Sequence, residues 1–213
     1  MRRWIPLLLF ASCLSLMALC RWTRLLRKLV GRPETYLGVM PIILGGSIAI
    51  LGLWHLGKAG TTVSVAMTAA AERFVTPLTF QTLTGRRVYT SLWQSSEDFD
   101  SQHISLTGWA DLMIIAPATA DIMAKMAAGI ADDLVSTLAL SVHGACPILI
   151  APAMNTRMWL APPTQDNLAR LKGWGIHAVG PEEGRLACDT IGPGRMSEPE
   201  EILSAATRIL RGG

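Results

Sequence analysis

Over residues 62–210, short apolar runs alternate with longer amphipathic stretches. Val63, Val65 and Met67 alternate with small residues and predict a strand that ends at Thr68. Residues 110–116 form a near-continuous apolar run that ends in Pro117-Ala118-Thr119-Ala120-Asp121. Residues 147–151 and 176–179 are two more such runs. Strands apolar on both faces are those of a parallel sheet covered on both sides. The stretches between them have helical spacing. One short helix is expected over residues 69–74. A second runs from Thr76-Pro77, as N-cap and first helical residue, to Gly85. Another covers residues 121–128, and the next starts near Asp132-Asp133, whose carboxylates suit a helix N-terminus, and runs to His143-Gly144. A helix capped by Thr164 would carry Leu168, Leu171 and Trp174 and stop at Gly175. The last is expected to open on a capping box of Ser197 and Glu200 and to place Ile202, Leu203, Ala206, Ile209 and Leu210 on one face. Residues 91–102 read as a polar loop, and residues 184–196 as a glycine-rich loop carrying Cys188. Strand and helix in alternation predict an α/β fold, a doubly wound parallel sheet in three layers and a single domain.

The first sixty residues fit this pattern less well. Met1-Arg2-Arg3 precedes an apolar run over residues 5–20, and residues 21–32 carry Arg21, Arg24, Arg27, Lys28 and Arg32. Residues 5–32 read either as a membrane-associated segment, an apolar anchor followed by a basic surface helix, or as an extension ahead of a soluble cytoplasmic domain. A second apolar stretch, residues 37–57, contains Gly45, Gly46, Ser47 and Gly52 and reads as strand, glycine turn and helix. Backbone N–H groups in such a turn suit a phosphate. The division expected is an extension over residues 1–36 and a domain over residues 37–213.

Composition narrows the choice of chemistry. Half of the 213 residues are hydrophobic and 16% are charged, which excludes a disordered chain. The net charge is only +3, with the basic excess concentrated near the start, so no nucleic-acid surface is expected. Cys13, Cys20, Cys146 and Cys188 form no Cys-x-x-Cys pair, and the four histidines form no metal-ligand spacing, so no metal site and no disulfide framework are expected.

The candidate chemistry centres on residues 152–159, Pro-Ala-Met-Asn-Thr-Arg-Met-Trp, directly after the apolar run at 147–151. A strand ending there delivers the Asn155 amide to the carboxyl edge of the sheet, where ligands of open α/β sheets bind. An amide can hold a carboxylate or another amide. The bland alternative is a strand and loop with Met154, Met158 and Trp159 as core filler.

With this octapeptide stand Phe74-Val75-Thr76-Pro77-Leu78-Thr79-Phe80, His103-Ile104-Ser105-Leu106, Ala116-Pro117-Ala118-Thr119-Ala120, Gly129-Ile130-Ala131-Asp132-Asp133-Leu134, Leu186-Ala187-Cys188 and Gly192-Pro193-Gly194-Arg195-Met196. In this order and at this spacing, the set resembles the homo-oligomeric flavin-containing cysteine decarboxylases, the family that includes phosphopantothenoylcysteine decarboxylases. The resemblance covers about residues 60–205. It implies a Rossmann-like, flavodoxin-like sheet and an FMN-dependent carboxy-lyase that converts 4'-phosphopantothenoyl-L-cysteine to 4'-phosphopantetheine in coenzyme A biosynthesis. It matches His103 and Cys188 to catalytic positions, and Asn155, Met158 and Arg195 to substrate contacts. It matches Gly46, Ser47, Ile48, Thr68, Ala70, Thr119, Ala120, Asp121, Ile122 and Ala153 to the FMN site. It further implies a homotrimer or higher homo-oligomer and a separate phosphopantothenate-cysteine ligase. Two departures stand out. Asp121 occupies a usual asparagine position, and the phosphate loop is split between Gly38-Val39 and Gly46-Ser47-Ile48-Ala49. The alternatives are an oxidative decarboxylase of peptidyl cysteine and a degenerate flavin- or partner-binding protein without activity.

Overall fold

The computed structural model describes residues 38–42, 61–93, 108–185 and 191–212. The strands are β1 (Gly38–Ile42), β2 (Thr62–Val63), β3 (Val65–Ala66), β4 (Val88–Tyr89), β5 (Leu112–Ala118), β6 (Ile148–Pro152), β7 (His177–Ala178), β8 (Glu182–Arg185) and β9 (Ile191–Arg195). The helices are α1 (Ala69–Glu72), α2 (Pro77–Thr84), α3 (Ala120–Ala128), α4 (Leu134–Val142), α5 (Thr156–Trp159), α6 (Pro162–Gly173) and α7 (Pro199–Leu210).

The main sheet runs β4-β3-β1-β5-β6-β7, and every pairing described in it is parallel. β2 and β3 are separated by Ser64 alone and both pair with β1, so they act as one interrupted strand. Counted that way, the order is the 3-2-1-4-5-6 of dinucleotide-binding Rossmann sheets. The chain builds outward from β1 to β4, then crosses to β5 on the other side of β1. In open α/β sheets, ligands bind outside the carboxyl ends of the strands at such a reversal.

Burial explains why the central strands read as unbroken apolar runs. Leu112, Ile114, Ala116, Leu149 and Ala151 face one layer, with Phe80 of α2 and Ile202, Leu203 and Ala206 of α7. Met113, Ile115, Ala118, Ile148 and Ile150 face the other, with Ile122 and Met123 of α3, Leu138 of α4 and Leu171 of α6. A side chain turned either way meets a helix, so neither face tolerates a polar residue.

Several local expectations are corrected. β5 continues through Pro117 to Ala118, and its register with β6 shifts between Ile115 and Ala118, which accommodates a residue with no N–H to give the ladder. Thr76 is the N-cap of α2, but its hydroxyl lies 3.3 Å from Thr79 Oγ1 and caps no backbone N–H. α6 is capped at Ala161, not Thr164. Pro162 and Pro163 start it one turn earlier because neither has an N–H to satisfy, and Thr164 is buried inside. Trp174 is the C-cap of α6 and 48% exposed rather than part of its core face. The capping box at Ser197 and Glu200 does not form. Ser197 is fully buried and donates to Glu182 Oε1 at 2.9 Å, and Glu198 is the N-cap of α7. The expected glycine-rich loop over residues 184–196 is bounded by strands, because β8 and β9 pair antiparallel as a separate hairpin.

Among the described residues, no helix is long and apolar enough to cross a membrane and no cluster of ligands could hold a metal. The expectations for residues 1–36, and the membrane question attached to residues 5–32, lie outside the described residues.

Candidate active site at the carboxyl edge of the sheet

The ends of β3, β5 and β6 supply the candidate site; β5 and β6 are neighbours, and β1 lies between β3 and β5. Beyond β3, Thr68 is the N-cap of α1, and its Oγ1 accepts from Ala71 N at 3.1 Å. Beyond β5, Thr119 is the N-cap of α3, and its Oγ1 accepts from Ile122 N at 3.5 Å. Beyond β6, Ala153 N donates to Ala118 O at 3.1 Å, which holds the ends of β5 and β6 together past the regular ladder. Each strand therefore ends in a small or hydroxyl residue. Ala70 is exposed, Ala120 and Ala153 are half-buried, and none projects more than a methyl over the edge. Ile122 differs: its side chain is buried in the core against α4 and α6, so only its backbone belongs to the edge.

Asn155 follows on the β6 side. It is the N-cap of α5, with φ −58° and ψ 145°, and its Oδ1 accepts from Arg157 N at 2.8 Å. Nδ2 is the donor end of the amide, the end suited to a carboxylate. Met154 and Trp159 pack partly against the core, whereas Met158 is 48% exposed. The bland expectation of core filler thus holds for two of the three.

The β8–β9 hairpin packs beside this turn. Met154 N donates to Gly194 O at 3.0 Å, joining the turn to β9 backbone to backbone. Arg195 runs along the hairpin, with Nη1 2.5 Å from Glu198 Oε1, and its Nε is buried without a partner among the described residues. Thr156 Oγ1 is buried without a partner in the same way.

The electrostatic centre near the site is one the sequence reading passed over. Lys125 Nζ lies 2.8 Å from Asp133 Oδ2, 2.9 Å from Asp132 Oδ1 and 3.7 Å from Asp121 Oδ2. Hydrogen bonds to Asp133 and Asp132 hold its ammonium well above its ordinary range. Burial pushes Asp133 up, but the Lys125 ammonium and the Ser136 backbone and hydroxyl outweigh it, so its carboxyl sits below the usual value. Asp133 also caps α4 in a reciprocal box with Ser136. Asp121 itself is 76% exposed on the first turn of α3, paired with Lys125 one turn later. The i,i+4 spacing of Asp121 and Lys125 was readable; the approach of Asp132 and Asp133 was not, because it depends on the turn between α3 and α4.

Thus Thr68, Ala70, Thr119, Ala120, Asp121, Ala153 and Asn155 lie just beyond the carboxyl ends of β3, β5 and β6, on one edge of the sheet. His103, Cys188, Gly46, Ser47 and Ile48 lie outside the described residues.

Comparison with known proteins agrees with this geometry. A family profile described as Flavoprotein matches residues 41–211. The coenzyme A biosynthesis bifunctional protein CoaBC of Vibrio vulnificus is 44% identical over 157 residues, which is 74% of this chain and 39% of that protein. Its counterpart from Escherichia coli is 47% identical over 152 residues, 71% of this chain and 37% of that one. The chain therefore spans about two-fifths of the length of these curated relatives. Among solved structures, the FMN-dependent cysteine decarboxylase SpaF superposes with TM-score 0.70 at 30% identity, covering 85% of this chain and 98% of its own. A PPC decarboxylase mutant complexed with pantothenoylaminoethenethiol superposes with TM-score 0.71 at 29% identity, covering 84% and 100%. Strand order, the small residues at the carboxyl edge, the Asn155 turn and the profile match converge on one conclusion: the chain belongs to the flavoprotein family.

Proposed function

We propose that this protein is an FMN-dependent carboxy-lyase that decarboxylates 4'-phosphopantothenoyl-L-cysteine to 4'-phosphopantetheine, a step of coenzyme A biosynthesis. The observation that carries the reading is the Asn155 amide held at the end of β6, one strand from the Thr119 cap. The residues present fit a flavin. Ala70, Ala120 and Ala153 leave the edge open to a broad planar ring, and the Thr68 and Thr119 hydroxyls and the first turn of α3 offer polar groups along it. FMN, when bound, supplies a two-electron acceptor that makes loss of the cysteine carboxylate feasible.

The chain's own residues supply the rest. Asn155 Nδ2 donates to the substrate carboxylate and fixes its direction before CO2 leaves. Exposed Met158 covers the apolar part of the substrate. His103 assists activation of the substrate thiol as a group that titrates near neutrality, and Cys188 supplies the proton of the reductive half. Both roles follow from the motif match. Gly46, Ser47 and Ile48 hold the phosphate by the same match, and Arg195 lines the substrate side of the hairpin.

The partners proposed are a small-molecule substrate, a ligase that joins cysteine to phosphopantothenate, and further copies of this chain. Phe74, Leu78 and Trp93 are 76%, 68% and 89% exposed, apolar surface of the kind a homo-oligomer covers. By the family resemblance, sedimentation should give a species of at least three chains.

The purified full-length chain should show the visible flavin absorption bands. Incubated anaerobically with 4'-phosphopantothenoyl-L-cysteine, it should release CO2 and phosphopantetheine. Release of an enethiol alone would move the assignment to oxidative decarboxylation, and a colourless protein that takes up no FMN would make it a non-enzymatic relative.

A further inference from the structure

We infer that Gly194 is a positioning residue for Asn155: the β9 backbone sets where the turn that bears the amide stands. Two hydrogen-bonding groups flank Asn155 in the chain, and β9 meets both. On one side, Met154 N donates to Gly194 O at 3.0 Å. The returning approach is closer still. Gly194 is buried at φ +144°, and a methyl group there would overlap the carbonyl oxygen of Met154 and lie 3.4 Å from Thr156 N. Neither partner is a flexible side-chain tip; both are backbone, so no rotamer change could make room. On the other side, a methyl group on Gly192 would lie 2.8 Å from Thr156 Oγ1 and 3.0 Å from its Cγ2. The absence of side chains at Gly192 and Gly194 is thus what lets β9 lie directly on the Met154 carbonyl before Asn155 and the Thr156 side chain after it.

β9 can act as a reference because its far end is fixed. Met196 is 7% exposed within the core, and Ser197, fully buried, is bonded to Glu182 at the base of β8. The turn at Asn155 has little regular structure of its own, since α5 is a single turn of four residues. The strand pressed against it therefore adds a constraint to the Ala153–Ala118 hydrogen bond that ties the turn to β5. Thr156 Oγ1, buried without a partner among the described residues, fits this account, because it lies against Gly192 of β9.

The substrate readout rests on the decarboxylase reading above; the structural readout does not. Gly194→Ala should leave the flavin spectrum intact and lower kcat/KM by about 100-fold, the scale of a misplacement of about 1 Å at a reacting centre. It should also abolish the preference for the carboxylate-bearing substrate over its decarboxylated product. In an Asn155→Ala background the same substitution should cost less than about twofold, because the group it positions is gone. Gly192→Ala should weaken turnover, and Thr156→Ala added to it should restore turnover, since the two contacted atoms are then removed and only ordinary packing at 3.5 Å remains. Amide hydrogen exchange at Met154 decides the structural half without any substrate: protected in the native chain, exposed in Gly194→Ala. Full turnover with unchanged Met154 protection in Gly194→Ala, or equal losses with and without Asn155, overturns the inference. If the native chain shows no decarboxylation, the functional reading fails, while the exchange measurement still decides this one.

Discussion

Lys125 Nζ stands 2.8 Å from Asp133 Oδ2 and so fastens the middle of α3 to the N-cap of α4. Both side chains are mostly buried, at 19% and 29% exposure, so the pair is better shielded than a surface ion pair. Replacing Lys125 with Met keeps the packing of the stem but strands Asp133 without its cation. A loss of about 1–3 kcal/mol is expected, read as a lower urea midpoint with an unchanged slope.

The same pair sets an acid limit. The folded-state pKa of Asp133 is depressed, so its contribution is complete above the ordinary carboxylate value of about 4 and fades as pH falls through the lower folded value. The raised Lys125 value acts the opposite way: its contribution is complete at neutral pH and fades only above the ordinary lysine range. Denaturation midpoints measured across the acid range should therefore fall less steeply for Asp133→Asn than for the native chain. Parallel curves would show that the pair carries no pH-dependent stability.

Cys146 should be a poor nucleophile. Burial pushes its thiol up to about 11, and its Sγ lies 3.6 Å from Pro147 O. Relative to a free thiol near pKa 8.5, the thiolate fraction at neutral pH falls by a factor on the order of 100. Alkylation followed by peptide mass spectrometry should show Cys146 modified slowly in the native protein and rapidly in denaturant.

Asn155→Asp separates fold from function. Aspartate caps a helix about as well as asparagine, so thermal stability should change by less than about 0.5 kcal/mol. Its charge would face the substrate carboxylate instead of donating to it. KM should rise at least about tenfold while FMN stays bound; unchanged KM would remove Asn155 from the carboxylate site.

Thr156→Val replaces a buried hydroxyl that has no partner among the described residues with a methyl of nearly the same shape. A change between neutral and about 1 kcal/mol of stabilisation is expected from thermal melts, since no hydrogen bond is lost. Clear destabilisation would show that Oγ1 holds a water.

Much of this architecture was legible along the chain because it depends on local pattern. The apolar runs that became β5 and β6 had to be covered on both faces, and the Pro77 start and Gly85 stop of α2 follow from backbone chemistry alone. The apolar pattern alone puts Thr68, Thr119 and Ala153 just past the ends of strands, where β3, β5 and β6 stop. Where the local reading failed, two residues could satisfy the same rule. Ser197 has the spacing of a capping box, yet its hydroxyl bonds to Glu182 fifteen positions earlier. Thr164 is a good cap by type, yet Pro162 and Pro163 start the helix ahead of it.

The sequence by itself determined the class of fold, the family and the residue types at the carboxyl edge, because hydrophobic period, helix caps and motif spacing are properties of neighbours in the chain. Tertiary structure alone decided that Asp132 and Asp133 join Asp121 at Lys125 and that β9 lies against the turn bearing Asn155. Those contacts join residues 7 to 40 positions apart, from Lys125 with Asp132 to Met154 with Gly194. No periodicity encodes them. They exist because folding brings two backbones to one place, and in the second case because the residue arriving there has no side chain to keep them apart.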